Sequence, residues 1–523
     1  MGAPPMILRR RTLLTALPLA APTLRRAAAA TTARVSLLHL NDFHSRHEGA
    51  QASGAACRTG APCAGGAARL VAAFHAARAA ATAEGRPVLA LDAGDQFLGS
   101  LFYTRHRGLA EAAVQRQWGV QAMAPGNHDF NGGPETLAAY LRALGVPLLA
   151  ANLDASAEPA LAGLVAPAAV FSLGGARLGV VGVTLETIPE ISSPGPRLRF
   201  TAPEEPVARA IAGLRAEAPT TIVVLSHLGL AADQALAAAV PGIDVIVGGH
   251  SHTLVTPPLV VDGADRPARI VQAGALGRWR GRLDLDLAAD GRVAAHAGGA
   301  AEITPDMPED PATARIVAEY GAPLAGLRAR PVAQSAGGLE NTICRLGECA
   351  VGNLLADALL AAVPGADLAL TNAGGIRTGL PTGAITLGDV LTTLPFSNTV
   401  ATVRLRGAAL LAALENGVSA PGSGRFPQVA GLAFTWNPAA PAGQRIATAR
   451  ITTGRQAGPV RPEADYLMVT NNFLRAGGDG YAVLRDQALE AYDAGPPMED
   501  AFAAYLTARG TVAPVIEGRI AAR

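Results

Sequence analysis

From residue 34 to about 290 the chain repeats one rhythm: a short β-branched or leucine-rich run ends in a loop of Gly, Asn, Asp and His. Val35 to Leu40, Pro87 to Leu91, Thr221 to Leu225 and Asp244 to Val247 are such runs. Continuous apolar stretches of this length, bounded by turn residues, predict buried strands. Alanine-rich amphipathic stretches between them, such as Ala68 to Ala81 and Pro206 to Glu217, predict helices and so a layered α/β region. Polar residues collect where the strands end, the edge at which open α/β sheets place their ligands. One site built from several strand ends is therefore expected.

Between about residues 305 and 335 the texture changes to Pro308-Glu309-Asp310-Pro311, a helical stretch from Ala312 to Ala329, and then Pro331 to Gly338. This pattern predicts a helical linker. A second α/β region follows from Leu339, with glycine-rich turns at Asn372 to Gly375 and Gly477 to Gly480. A length of 523 residues, more than one core usually organises, supports the division. The expected layout is a leader over 1–30, a first domain over 31–305, a linker over 306–335 and a smaller α/β domain over 336–523.

The leader carries Arg9-Arg10-Arg11, an apolar stretch from Leu13 to Ala21 and small residues from Ala27 to Ala30. That apolar run is too short to span a membrane and suits a signal peptide. Arg10-Arg11-Thr12-Leu13-Leu14 resembles a twin-arginine export signal, the alternative being an ordinary basic n-region. A periplasmic or secreted protein without a membrane anchor is expected, as a monomer or homodimer. The net charge of +1, with basic residues spread along the chain, gives no nucleic-acid or membrane surface. All 43 basic residues are arginine, which excludes lysine chemistry. In an oxidising compartment the four cysteines pair economically as Cys57 with Cys63 and Cys344 with Cys349. A four-cysteine zinc site is the rival, but the pairs fall in different domains and lack zinc-knuckle spacing.

Five strand ends carry Asn41-Asp42-Phe43-His44, Gly94-Asp95, Gly126-Asn127-His128-Asp129, Ser226-His227 and Gly249-His250-Ser251-His252. A lone histidine is more often a core or surface residue than a ligand. Carboxylate, imidazole and amide oxygens gathered in this order instead suit a pair of divalent ions, with zinc, manganese, cobalt and iron as candidates. Two such ions about 3.5–4 Å apart hold a phosphoryl oxygen and activate water for in-line displacement. One carboxylate must bridge them, and Asp95 is the candidate.

The order D-x-H, GD, GNH(D/E), H and GHxH resembles the calcineurin-type dinuclear metallophosphoesterases and, within them, the 5′-nucleotidase family. The resemblance implies a β-sandwich flanked by helices, with Asp42, His44, Asp95 and His252 on one metal and Asp95, Asn127, His227 and His250 on the other. It implies that His128 faces the phosphate without ligating. His39, His47, His75, His106 and His296 are left to structural or surface roles. One position departs: where these nucleotidases carry an aspartate that orients the phosphate-facing histidine, this chain has Asn131. Asparagine accepts a hydrogen bond from the imidazole but does not stabilise its cation by charge. Some 2′,3′-cyclic-nucleotide phosphodiesterases of the superfamily resemble this variant.

Over the second domain the resemblance implies nucleotide recognition. Phe426, in Gly424 to Val429, and Phe473, in Asn471 to Tyr481, would clamp a base. Asp479 would accept from the ribose, Asn372 would face the base or ribose, and Arg345 and Arg377 would contact the substrate. Both local disulfides sit beside these motifs as they do in the ecto-5′-nucleotidases. The expected activity is hydrolysis of nucleoside 5′-monophosphates, with other nucleotides or nucleotide sugars as further substrates and a hinge at the linker. A 2′,3′-cyclic-nucleotide phosphodiesterase/3′-nucleotidase is the alternative. A sulfate-ester or thiosulfate hydrolase leaves Gly126-Asn127-His128 and the base clamp without purpose. A non-catalytic nucleotide-binding protein would show missing ligands, and none is missing.

Overall fold

The computed structural model describes Gly2 and residues 31–49, 63–218, 220–396, 398–454, 456–493 and 495–523. Apart from Gly2, the expected leader lies outside these residues, as does Cys57.

The first domain is two sheets face to face between two layers of helix. One sheet has seven strands in the order Val293–Glu302, Trp279–Ala288, Thr31–Leu40, Val88–Asp92, Ala122–Met123, Leu148–Leu149 and Val165–Ala166. The other has six: Leu254–Val261, Ala268–Ala273, Val245–Val247, Thr221–His227, Ala176–Thr184 and Ala168–Leu173. Side chains alternate across each strand, so both faces are apolar. Val35, Leu37, Leu89, Leu91, Val223, Leu225, Val245 and Val247 fill the space between the sheets. Leu38, Leu40 and Ala90 turn outward onto the helix Ala67–Ala83. Ile222, Val224 and Ile246 turn outward toward the helices Glu204–Glu217 and Leu230–Ala239. This double burial explains why the strands read as unbroken apolar runs.

Thr31–Leu40, Val88–Asp92 and Ala122–Met123 are parallel neighbours, as are Thr221–His227 and Val245–Val247. All five candidate metal segments leave the same ends of these strands. A helix at Pro311–Gly321, a short 3₁₀ turn at Ala322–Leu324 and a helix at Ala325–Ala329 occupy the expected linker. Asp310 caps the first, its carboxylate accepting from Thr313 N at 2.8 Å.

The second domain centres on a five-stranded sheet in the order Pro427–Ala430, Leu368–Asn372, Asp465–Asn471, Val400–Arg406 and Glu490–Tyr492. The helix Ala350–Ala362 covers it, and the Cys344–Cys349 disulfide stands immediately before that helix, with Cα atoms 5.0 Å apart.

The two large sheets approach closely at Gly182, where an added Cβ would overlap the Leu149 carbonyl. Gly182→Ala should lower the unfolding free energy by about 3 kcal/mol, read from denaturant titration, because backbone rather than a movable side chain blocks the methyl.

Candidate active site

Among the described residues, two groups of side chains could hold a metal ion: Asp42, His44 and His252, and Asp95, His227 and His250. His44 Nδ1 lies 3.2 Å from the Phe97 carbonyl and His227 Nδ1 2.6 Å from that of Ala93. A carbonyl only accepts, so each Nδ1 carries a proton, and in the neutral ring each Nε2 presents a bare lone pair. His44 Nε2 then stands 3.1 Å from His252 Nε2, and His227 Nε2 is buried without a hydrogen-bond partner, 3.3 Å from Asp95 Oδ2. Asn127 Oδ1 lies 3.1 Å from His250 Nδ1. Converging acceptors of this kind fit a bound cation, and the mix of imidazole, carboxylate and amide oxygen fits a divalent transition metal. Burial resists charge on His227, yet Asp95 and Asp42 push its pKa up to about 10. The field that draws a proton there also draws a metal ion.

The ligand loops are strained and tightly braced. Asp42, His44, Asp95, His250 and His252, five of the seven expected ligands, have φ between 51° and 71°. Non-glycine residues adopt this left-handed region at about 1–2 kcal/mol each, so surrounding contacts must hold them. Asn41 supplies one brace, donating to Asp42 Oδ2 and to the Gly274 carbonyl, each at 2.7 Å, and accepting from Ala273 N at 2.8 Å. Asp129 supplies another. Its buried carboxylate accepts from the backbone N of Asp95 (3.0 Å), Gln96 (2.9 Å), Phe97 (3.3 Å) and Gly126 (2.8 Å), tying two ligand loops together. Burial and the neighbouring Asp95 charge push Asp129 up to about 7. Gly126 packs against the Asp95 carboxylate and Gly249 against the Ala93 carbonyl and His227, leaving no room for a Cβ at either. Of the histidines left to other roles, His47 pairs with Glu111 at 3.2 Å, while His75 and His106 bond backbone carbonyls.

His128 stands between the metal cluster and the second domain. Its backbone N donates to Asp95 Oδ1 at 2.8 Å, and its Nδ1 lies 2.8 Å from Asn131 Oδ1. Asn131 thus holds the ring, and Nε2 is the nitrogen free to face a substrate.

A cavity of about 480 Å³ joins the domains, lined by Asn127, His128, Asn131 and His250 on one side and by Arg345, Asn372, Arg377, Phe473 and Asp479 on the other. Burial and then the neighbouring Arg345 lower the Arg377 pKa, as expected of two guanidinium groups converging on a place for an anion. Asn372 Nδ2 donates to Asp479 Oδ2 at 2.6 Å.

Phe426 is not in this cavity. Its ring is fully buried in the second-domain core, edge-on to Trp436 with centroids 5.6 Å apart. All four residues of the strand Pro427–Ala430 are buried, and Phe426, just ahead of it, is buried with them in the core and away from a base clamp. The second aromatic lining the cavity with Phe473 is Phe396, half-buried, 5.6 Å from the His128 ring and 5.7 Å from the Arg377 guanidinium carbon. Leu394-Pro395-Phe396 carries no glycine-flanked signal. The Pro-Phe pair just ahead of the strand Val400–Arg406 was the available clue.

Asp129→Ala strands four buried backbone donors. It should destabilise the fold by about 3–5 kcal/mol in denaturant titration and sharply reduce bound metal by elemental analysis.

A model of the calcineurin-like phosphoesterase family matches residues 35–254, and one of the 5′-nucleotidase C-terminal domain matches residues 331–486. The chain is 32% identical to an apyrase of Tabanus yao over 93% of each chain. It is 30% identical to a 5′-nucleotidase of Bos taurus over 93% of this chain and 90% of that one. The crystal structure of a 5′-nucleotidase precursor from Thermus thermophilus superposes with a TM-score of 0.84 at 38% identity, over 94% of this chain and 99% of that one. With both of its domains matched in order, and metal-competent residues gathered at the strand ends between the sheets, the chain belongs to the 5′-nucleotidase family of metallophosphoesterases.

Proposed function

We propose that the protein hydrolyses nucleoside 5′-monophosphates to nucleoside and inorganic phosphate. The observation that carries this reading is the cavity shared by the metal-competent cluster and two aromatic side chains of the other domain. A phosphate and a base on one small molecule reach both walls. Asp42, His44, Asp95 and His252 would hold one divalent ion and Asp95, Asn127, His227 and His250 the other, and such a pair supplies Lewis acidity and an activated water at the phosphorus.

The remaining work belongs to side chains. Arg345 and Arg377 bind the anionic substrate. His128, its ring turned by Asn131, offers Nε2 to the phosphoryl group. Phe396 and Phe473 pack on the base, and Asp479, paired with Asn372, accepts from the ribose hydroxyls. The division of labour follows the expected boundaries, with residues 31–305 holding the chemistry, 336–523 the nucleoside, and 306–335 acting as the hinge. The leader-like first 30 residues and the Cys344–Cys349 disulfide favour an extracytoplasmic setting and nucleotide salvage there. Among the described residues no helix is long and apolar enough to cross a membrane.

Asn131 favours a second reading, 2′,3′-cyclic-nucleotide and 3′-nucleotide hydrolysis, because a neutral partner leaves the His128 imidazolium without charge support. Phosphate release from AMP, 3′-AMP, 2′,3′-cyclic AMP, ATP and UDP-glucose with Mn²⁺, Zn²⁺ or Co²⁺ separates the two. AMP should be cut readily, and phosphate from the cyclic and 3′ substrates with none from AMP would overturn the proposal. Chelation should abolish turnover and metal re-addition restore it. Asp95→Ala, which removes the shared ligand, should lower kcat by about a thousandfold or more. Phe396→Ala and Phe473→Ala should each raise KM for AMP about tenfold and spare p-nitrophenyl phosphate, whereas Phe426→Ala should instead cost about 3–5 kcal/mol of stability.

A further inference from the structure

The segment Gly424 to Val429 lies beside the cavity without supplying its aromatic wall, and its most constrained side chain is Gln428. That residue is fully buried. Its Nε2 donates to the carbonyls of Cys344 (2.9 Å) and Gly347 (2.8 Å), while its Oε1 accepts from Cys349 N at 3.1 Å. All three contacts fall on the backbone of the disulfide-closed loop that carries Arg345. Beneath the carboxamide, Gly352 leaves it room, since a Cβ there would stand 2.5 Å from Oε1.

A disulfide fixes the ends of such a loop but not its tilt. The tilt is set by groups that grip the loop between its ends, and Gln428 reaches the inner carbonyl of Gly347 as well as both cysteines. Only a primary amide offers two donors and an acceptor in one plane. Gln428 also stands opposite Thr371 in the strand pair that presents Asn372, with Pro427 opposite Asn372 itself. One rigid strand therefore sets the height of Arg345 relative to Asn372 and Asp479. The Gly422 N bond to the Arg345 carbonyl at 2.7 Å braces the loop from its outer side.

We propose that Gln428 is a positioning residue for substrate recognition, acting through the Cys344–Cys349 loop to hold Arg345 in the cavity. This rests on the nucleotide reading, in which Arg345 contacts substrate. The test is a double-mutant cycle in the metal-loaded, full-length enzyme with Arg345→Ala, Gln428→Leu and the pair, following KM and kcat for AMP together with the melting temperature. Each single variant should raise KM about tenfold with kcat within about twofold, and the double variant should be no worse than Arg345→Ala. A double variant about a hundredfold worse, or a folded Gln428→Leu with unchanged KM, overturns the inference while leaving the nucleotide reading intact. An unchanged KM in Arg345→Ala overturns the nucleotide role of Arg345 and the inference with it. Should Gln428→Leu fail to fold, Gln428→Glu carries the same cycle, since it keeps the side-chain length and the acceptor for Cys349 N but lacks both donors.

Discussion

Bare imidazole nitrogens and carboxylates crowd together at one end of the first-domain sandwich, with His44 Nε2 and His252 Nε2 only 3.1 Å apart and Asp95 Oδ2 3.3 Å from His227 Nε2. Left to themselves these groups repel or demand protons, and buried orphaned acceptors are costly. The surrounding architecture answers that demand. Parallel strands deliver five loops to one edge, left-handed backbone turns the side chains inward, and Asn41 and Asp129 lock the loops so that the acceptors cannot relax apart. A pair of divalent ions would compensate such a cluster, and metal binding would then help to hold the loops as well as serve the proposed chemistry.

In the proposed function the second domain contributes what a metal pair alone would lack, namely a way to distinguish one phosphoester from another. Arginine, asparagine, aspartate and two phenylalanines converge on the same cavity, most of them from segments adjoining the ends of inner strands of the five-stranded sheet. Their support is as specific as that of the metal loops. Asn372 bonds Asp479, and Gln428 spans the loop of Arg345. Phe426 gives up contact with the cavity to anchor the strand that carries Gln428.

The metal half was legible in the sequence because its chemistry is written in compact segments. Asp42, His44, Asp95, Asn127, His227, His250 and His252 each stand at or just beyond the end of an apolar run, and the two facing sheets bring those strand ends to one place. The aromatic half was less legible because nothing in a phenylalanine's immediate neighbours states which way the ring turns. Phe426 has the glycine and arginine context of a binding loop, yet its ring packs into the core against Trp436. Phe396 follows Leu394-Pro395 like an ordinary core residue, yet it faces the cavity. Asp129 and Gln428 were invisible as organisers for a related reason, since most of the backbone atoms they grip lie far away in the chain, and side-chain identity does not record those partners.

In the proposed function one nucleotide touches both halves at once, with its phosphate at the metal-competent cluster and its base at Phe396 and Phe473. A crystal structure of the full chain with Mn²⁺ and a non-hydrolysable AMP analogue, measured with anomalous scattering, tests it directly. Two anomalous peaks are expected, one among Asp42, His44 and His252 and one among Asn127, His227 and His250, with the adenine packed between Phe396 and Phe473. A single peak, or an adenine bound away from those two rings, would contradict the account.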